Sequence, residues 1–140
     1  MIIIIDTNII LDVLIHKEPF YSESELVLLA SEQKYVDGYV TASAITDIFY
    51  ITYKYLKDKT ATQDLLKNHL VKTIKIAAVD GDIIVEALNA GWDDFEDCVQ
   101  YVTGKSITAD YIVTRNSNDF SISTIKAITP KDFLDIIAPE

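Results

Sequence analysis

Four consecutive isoleucines at residues 2–5 constrain the fold more than any other feature of this sequence. A short β-branched run without polar alternation is typical of a strand that is buried on both faces, as in a parallel sheet. Asp6 follows the run directly and therefore lies at the carboxyl end of the predicted strand. Other short apolar segments predict four more strands, at residues 39–41, 74–79, 110–114 and 125–128.

Helical patterns separate the predicted strands, and most of them begin near a residue that can cap a helix. The candidate caps are Ser22 or Ser24, Ser43, Thr60 or Thr62, Asp80 or Asp82, Asp93 or Asp94, and Thr129. The alternation of strand and helix predicts an α/β fold, an α/β/α sandwich around a mostly parallel sheet of about five strands. The chain has 140 residues and neither a linker nor a repeat, so one domain is expected over residues 1–140.

Charge and composition exclude several classes of protein. The chain carries 22 acidic and 12 basic residues, a formal net charge of −10, whereas a general nucleic-acid coat protein would be basic. A single cysteine, Cys98, excludes an intrachain disulfide framework and favours the reducing cytoplasm. No apolar run approaches the roughly 20 residues that a membrane span needs, and the amino terminus lacks a basic leader.

Asp6 and Asp47 are the first two candidates for chemistry. Ligands of parallel sheets bind outside the carboxyl ends of the strands, where Asp6 and residues 114–119 are expected. Asp47 falls in a predicted helix that is apolar on most sides, and a buried carboxylate needs a partner. The alternatives are a turn or capping role for Asp6 and a narrow solvated stripe, shared with Lys54, for Asp47.

Asp97 is the third candidate, and it lies one turn into a predicted helix. Its position is opposite Phe95, Cys98 and Val102, which are expected to face the core. The alternative is a solvated acidic face at a helix start, where the helix dipole favours negative charge. If Asp97 converges with the other two acids, their repulsion predicts a bound divalent cation. Oxygen ligands suit hard ions, here Mg²⁺ or Mn²⁺, which activate water and hold a phosphate oxygen.

Four segments resemble the PIN-domain nucleases in the order and at the spacing of that family. They read IIIIDTNIIL at 2–11, TASAITD at 41–47, DFEDCVQ at 94–100 and ADYIVTRNSNDF at 109–120. The similarity extends from residue 2 to about residue 137. It implies a PIN-like fold and an endoribonuclease that uses Mg²⁺ or Mn²⁺ to hydrolyse single-stranded or structured RNA. Small prokaryotic members of this size imply a toxin of a toxin–antitoxin pair, a homodimer, and an antitoxin partner with a basic segment.

The resemblance implies a catalytic or metal-binding role for five matched positions. Asp6 and Asp97 match the first and third metal-binding acids, and Asp47 lies where the family usually has glutamate. Asn116 occupies the usual place of a fourth acid, from which its amide oxygen can still ligate. Asp119, three residues further on, is the candidate replacement for that acid.

Supporting roles and RNA contacts involve other residues. The resemblance implies that Thr114 hydrogen-bonds near the metal and that Asn8 braces the first loop. Lys54, Lys57 and Lys59 begin a lysine-rich segment interleaved with tyrosines, a combination that binds single-stranded RNA. The alternative is that these lysines are ordinary residues of exposed helix faces.

The departures at Asp47 and Asn116 leave a second function open. A degenerate PIN module would bind RNA or protein without cleaving it. An aspartyl phosphatase fits poorly, because it would need an acid where the chain has Asn8. A response-regulator receiver also fits poorly, because its paired acids before the strand-end carboxylate are missing. Cleavage of single-stranded RNA with Mn²⁺, abolished by a chelator, would separate the nuclease from the degenerate module.

Overall fold

The isoleucine run forms the central strand of a five-stranded sheet in a computed structural model, which describes residues 1–139. The strands are β1 (Ile2–Ile5), β2 (Asp37–Thr41), β3 (Lys75–Ala77), β4 (Tyr111–Val113) and β5 (Lys126–Ile128). Their order across the sheet is β3-β2-β1-β4-β5, and every neighbouring pair is parallel. The predicted α/β fold is confirmed, although β3 is shorter than the predicted segment 74–79.

Helices cover both faces of this sheet. The layer next to Ile3 and Ile5 contains α1 (Thr7–Leu14), α2 (Tyr21–Glu32), α3 (Ala42–Leu56) and α8 (Pro130–Ile137). The same layer includes α4 (Lys59–Leu65), which continues through a π-helical turn (Leu66–Leu70) into α5 (Val71–Thr73). The layer next to Ile4 contains α6 (Gly81–Ala90) and α7 (Phe95–Ser106). Successive isoleucines therefore point into opposite cores, and all three are fully buried.

Three of the predicted helix caps are confirmed. Asp80, Asp94 and Thr129 each accept a hydrogen bond from the backbone N–H three residues further on, at 2.9–3.2 Å. Gly91 ends α6 in the left-handed conformation, with φ of +67°, as a glycine at that position does most readily. The segment between α6 and α7 is therefore fixed at both ends by standard capping chemistry.

The predicted caps at Ser22 or Ser24, at Ser43, and at Thr60 or Thr62 are wrong. Helix α2 begins after Phe20, and the Ser24 hydroxyl instead donates to Asp12 Oδ2 inside the core, at 2.9 Å. Asp58 caps α4 through the N–H of Ala61, at 3.0 Å, before either predicted threonine. Ser43 lies inside α3, which begins directly after β2. A buried partner or a nearer aspartate overrides the local preference in each of the first two cases.

The position of the site follows from the strand order. The chain leaves β1 toward β2 on one side and later returns to place β4 on its other side. This reversal opens a crevice beyond the carboxyl ends of β1 and β4, where ligands of open parallel sheets bind. Within residues 1–139, no helix is both long and apolar enough to cross a membrane.

Candidate active site

Asp6 lies at the centre of this crevice and is held there by two side chains. It follows β1 directly, is 6% exposed, and its backbone N–H donates to Val113 O at 3.0 Å. The Thr114 hydroxyl donates to Asp6 Oδ2 at 2.8 Å, and Gln100 Nε2 donates to Oδ1 at 3.0 Å. These bonds fix the plane of the carboxylate while leaving each oxygen a further lone pair.

Asp97 comes toward the same crevice from the first turn of α7. Asp94 caps the helix by accepting a hydrogen bond from the Asp97 backbone N–H. The Asp97 side chain is therefore not needed as a cap. Burial is the largest cause that raises its pKa from 3.8 to about 7, and the nearby charges of Asp94, Asp6 and Asp119 contribute to the same rise. Four carboxylates therefore crowd one region, where a cation would relieve their repulsion.

Glu96 also belongs to this cluster, although it is exposed in the first turn of α7, where the helix dipole favours an acid. The Thr7 hydroxyl donates to Glu96 Oε1 at 3.0 Å. Burial raises the pKa of Glu96, and the charges of Asp47 and Asp6 act in the same direction, against the Thr7 bond. Asp47 is exposed in α3, yet it lies near enough to Glu96 to act on its ionisation.

The segment after β4 completes the crevice. Thr114 uses its hydroxyl twice, because the oxygen that donates to Asp6 also accepts from the Asn116 backbone N–H at 3.1 Å. Residues Ser117–Phe120 form a 3₁₀ turn that carries Asp119. Asp119 and Asp97 line the same cavity, of about 360 Å³.

The positions of Asn8 and Phe95 differ from those predicted from the sequence. Asn8 is exposed in the first turn of α1, and within residues 1–139 its side chain makes no hydrogen bond that would brace a loop. Phe95 is 43% exposed rather than inward, because the first turn of α7 lies at the mouth of the crevice and not over the sheet. Cys98 and Val102 do face the core, at 0% and 3% exposure.

The lysine segment is separated from the acids. Lys54, Lys57 and Lys59 are exposed at the far end of α3 and the start of α4. At about 1.5 Å of rise per residue, the ten residues from Asp47 to Lys57 span about 15 Å. Tyr50, Tyr53 and Tyr55 lie on α3 between the two regions and are 40–63% exposed.

The donor set suits a hard divalent cation, but it is not preassembled. Among residues 1–139, no three acidic, histidine or cysteine side chains stand close enough together to hold a metal ion as they are placed. The oxygens of Asp6, Asp97, Glu96 and Asp119 are of the type that Mg²⁺ and Mn²⁺ prefer. The pKa of Asp97 is raised because burial and the neighbouring carboxylates oppose its charged form.

A buried ion pair supports the segment after β4 and was not predicted from the sequence. Asp12 is 0% exposed in α1, and its carboxylate binds Arg115 through Nε at 3.0 Å and Nη2 at 3.2 Å. The Arg115 guanidinium also lies over the Phe20 ring, 3.8 Å from its centroid. Arg115 stands between Thr114 and Asn116, so this pair ties both of those neighbours to α1.

Comparison with known proteins agrees with this architecture. The PIN domain family profile matches residues 2–118. FitAcB from Neisseria gonorrhoeae superposes with a TM-score of 0.69 at 16% identity, over 92% of this chain and 98% of that one. FitAB bound to an IR36 DNA fragment superposes with a TM-score of 0.68 at 16% identity, over 99% and 97%. No curated protein sequence matches the chain. From the profile match over most of its length, the chain belongs to the PIN domain family.

Proposed function

We propose that this protein is an Mg²⁺- or Mn²⁺-dependent endoribonuclease that hydrolyses phosphodiester bonds of RNA. The observation that carries the proposal is the buried, hydrogen-bonded Asp6 at the strand switch point, with Asp97, Asp119 and Glu96 around it. Membership of the PIN domain family, whose members are usually nucleases, supports it.

The carboxylates at the crevice would bind the divalent cation. Asp6 and Asp97, with Asp47 and the Asn116 amide oxygen, would hold the cation. A bound divalent cation supplies water activation and charge neutralisation at a phosphate. Asp6 provides a preorganised ligand, because Thr114 and Gln100 hold both of its oxygens. With a pKa raised to about 7, the Asp97 carboxyl is partly protonated at neutral pH, so a cation would compete with that proton.

Asp119 and the lysines have more distant roles in this proposal. Asp119 would supply the negative charge that Asn116 lacks, from the 3₁₀ turn that begins directly after Asn116. Lys54, Lys57 and Lys59 would contact RNA phosphates along the exposed end of α3. Asn8 would support the site only indirectly, because it lies exposed in the first turn of α1.

The proposal extends to a toxin of a toxin–antitoxin pair, in the cytoplasm and as a homodimer. A chain with a net charge of −10 and an acidic crevice is suited to a partner that inserts a basic segment. The structural neighbour FitAB is bound to a DNA fragment. A strongly acidic chain is a poor ligand for DNA, so we assign any DNA contact of this protein to such a partner.

Cleavage of an end-labelled single-stranded RNA tests the enzyme directly. We expect cleavage with Mn²⁺ or Mg²⁺, loss of cleavage with a chelator, and loss of cleavage in Asp6→Asn, which keeps the fold. Asp64→Asn, at an exposed position of α4, removes the same charge and should remain active. Cleavage that survives in Asp6→Asn would overturn the assignment.

A degenerate module that binds without cleaving is the second candidate. It is favoured by the exposed position of Asp47, one methylene shorter than glutamate, and by the neutral amide at Asn116. This candidate predicts RNA or protein binding by wild type without any cleavage at saturating Mn²⁺. The same labelled RNA, analysed for both binding and cleavage, separates the two functions.

A further inference from the structure

Trp92 is the only tryptophan of the chain, and it lies at the edge of the acidic crevice. It stands between Gly91, which ends α6, and Asp94, which caps α7. Two helices therefore fix the backbone on either side of it, within a linker of four residues, 91–94. The indole is half-buried and keeps part of its surface open to solvent.

The indole ring is held by other aromatic side chains. Tyr101 stacks on it, with ring centroids 5.0 Å apart and an interplanar angle of 16°. Phe120 meets it edge-on, with centroids 6.1 Å apart. Tyr101 is itself fixed by a hydrogen bond to Thr124 at 2.9 Å and by Lys105, whose Nζ lies 4.9 Å from the ring centroid. Trp92 is therefore a rigid aromatic surface.

The part of the indole that these rings leave open borders the cavity of about 360 Å³ described above. The cavity contains three kinds of wall. The acidic wall has four carboxylates, those of Asp93, Asp94, Asp97 and Asp119. Trp92 and the exposed Ile122 form the apolar wall, and Asn118 and Ser121 add an amide and a hydroxyl. A site for a cation alone would not need the apolar wall.

We propose that this cavity is a nucleobase subsite, in which Trp92 stacks a base of single-stranded RNA next to the phosphate at the acidic cluster. The inference rests on the proposed ribonuclease function and names its substrate as unpaired RNA. Aromatic faces recognise bases that are splayed out of a helix, and amides and hydroxyls bind the edges of such bases. A paired base would be unable to enter, because its edges and faces are already occupied.

The acidic wall makes the subsite dependent on metal. Carboxylates repel the phosphate that accompanies a base, and a divalent cation at Asp97 removes this repulsion. Stacking of one base on an aromatic side chain corresponds to about 5- to 150-fold in affinity. Because every base has a π-face, the subsite tolerates different bases and selects chiefly for single strands.

Intrinsic fluorescence gives a direct test, since all tryptophan emission comes from Trp92. Wild-type protein is titrated in Mg²⁺ with a phosphorothioate oligouridylate, its integrity checked by gel, and with an abasic oligonucleotide of the same backbone. Mg²⁺ is chosen because paramagnetic Mn²⁺ quenches fluorescence by itself. We expect saturable quenching by the oligouridylate only. Equal quenching by the abasic backbone would overturn the subsite.

Variants provide an independent measurement through the anisotropy of the same oligouridylate carrying a dye. Trp92→Leu should weaken binding about 5- to 150-fold, and Trp92→Phe should retain most of the affinity. Tyr35→Leu, an exposed aromatic at the opposite end of the sheet, should bind like wild type. Melting curves confirm that each variant is folded. Wild-type affinity in a folded Trp92→Leu would overturn the proposal.

The nucleobase subsite and the ribonuclease function can be refuted independently of each other. Cleavage of RNA by wild type without quenching refutes the subsite and leaves the ribonuclease in place. Saturable, base-dependent quenching without cleavage by either cation supports the subsite and refutes the ribonuclease.

Discussion

Neutralising Asp97 should make the metal-free protein more stable at high pH. The charged carboxylate of Asp97 is opposed by burial and by four neighbouring acids, Asp94, Asp6, Asp119 and Glu96, which raise its pKa from 3.8 to about 7. Each pH unit between the two pKa values corresponds to about 1.4 kcal/mol, so the largest possible gain in the free energy of unfolding is about 4 kcal/mol. The side chain is only half-buried, so screening by solvent reduces our expectation for Asp97→Asn to about 1–2 kcal/mol.

The sign of the pH dependence follows from the raised pKa. The folded state binds the Asp97 proton more tightly than the unfolded state does, so protonation stabilises the fold. The penalty from ionisation is absent below about pH 3.8, grows as pH rises, and is complete above about pH 7. Wild type should therefore lose more stability between pH 5 and pH 8 than Asp97→Asn does.

Urea unfolding at pH 5 and pH 8, in the presence of a chelator, measures this difference. Asp93→Asn is the matched control, because it removes the same charge four residues earlier in the chain, and Asp93 is not among the neighbours that act on Asp97. It should follow the wild-type pH dependence. If wild type and Asp97→Asn lose equal stability between the two pH values, Asp97 is not held in a repulsive cluster and the reasoning is refuted.

Three further predictions concern the residues around the cluster. Arg115→Gln should lower the free energy of unfolding by about 3 kcal/mol, because it leaves the fully buried Asp12 charge unpaired. If urea unfolding detects no such loss, the ion pair does not stabilise the fold. Cys98 should react with a thiol reagent only on unfolding, since it is 0% exposed and burial raises its pKa; rapid labelling of the native protein contradicts this. Gln100→Leu should weaken Mn²⁺ binding about 10- to 100-fold, because the hydrogen bond from Gln100 to Asp6 is lost. Calorimetry measures this affinity, and an unchanged value would show that Gln100 does not position Asp6 for the metal.

The sheet could be predicted from the sequence because its strands are short apolar runs that must be buried on both faces. The four isoleucines alone predict β1, and Asp6 lies at the carboxyl end of the sheet because it follows them directly. Asp80, Asp94 and Thr129 could be predicted as caps for the same reason, since a cap depends on the next three residues. These positions depend on neighbours in sequence and very little on the packing of distant elements.

The remaining site residues depend on distant contacts. Glu96 becomes part of the cluster only because α7 passes beside Thr7, 89 residues earlier in the chain. Gln100 reaches Asp6 over a separation of 94 residues. The spacing of Asp94, Asp97 and Gln100, three residues apart each time, would have indicated one shared helix face. No comparable signal in the sequence links Arg115 to Asp12.

Stabilisation by Mn²⁺ tests most directly whether the acidic cluster is a divalent-metal site. At a Mn²⁺ concentration 100 times the dissociation constant, binding to the folded state adds about 2.7 kcal/mol. Melting curves of wild type should then shift upward by roughly 5–10 °C. Asp64→Asn should shift equally, and Asp97→Asn much less. Equal shifts in wild type and Asp97→Asn, or no shift in wild type, would contradict a metal site at these carboxylates.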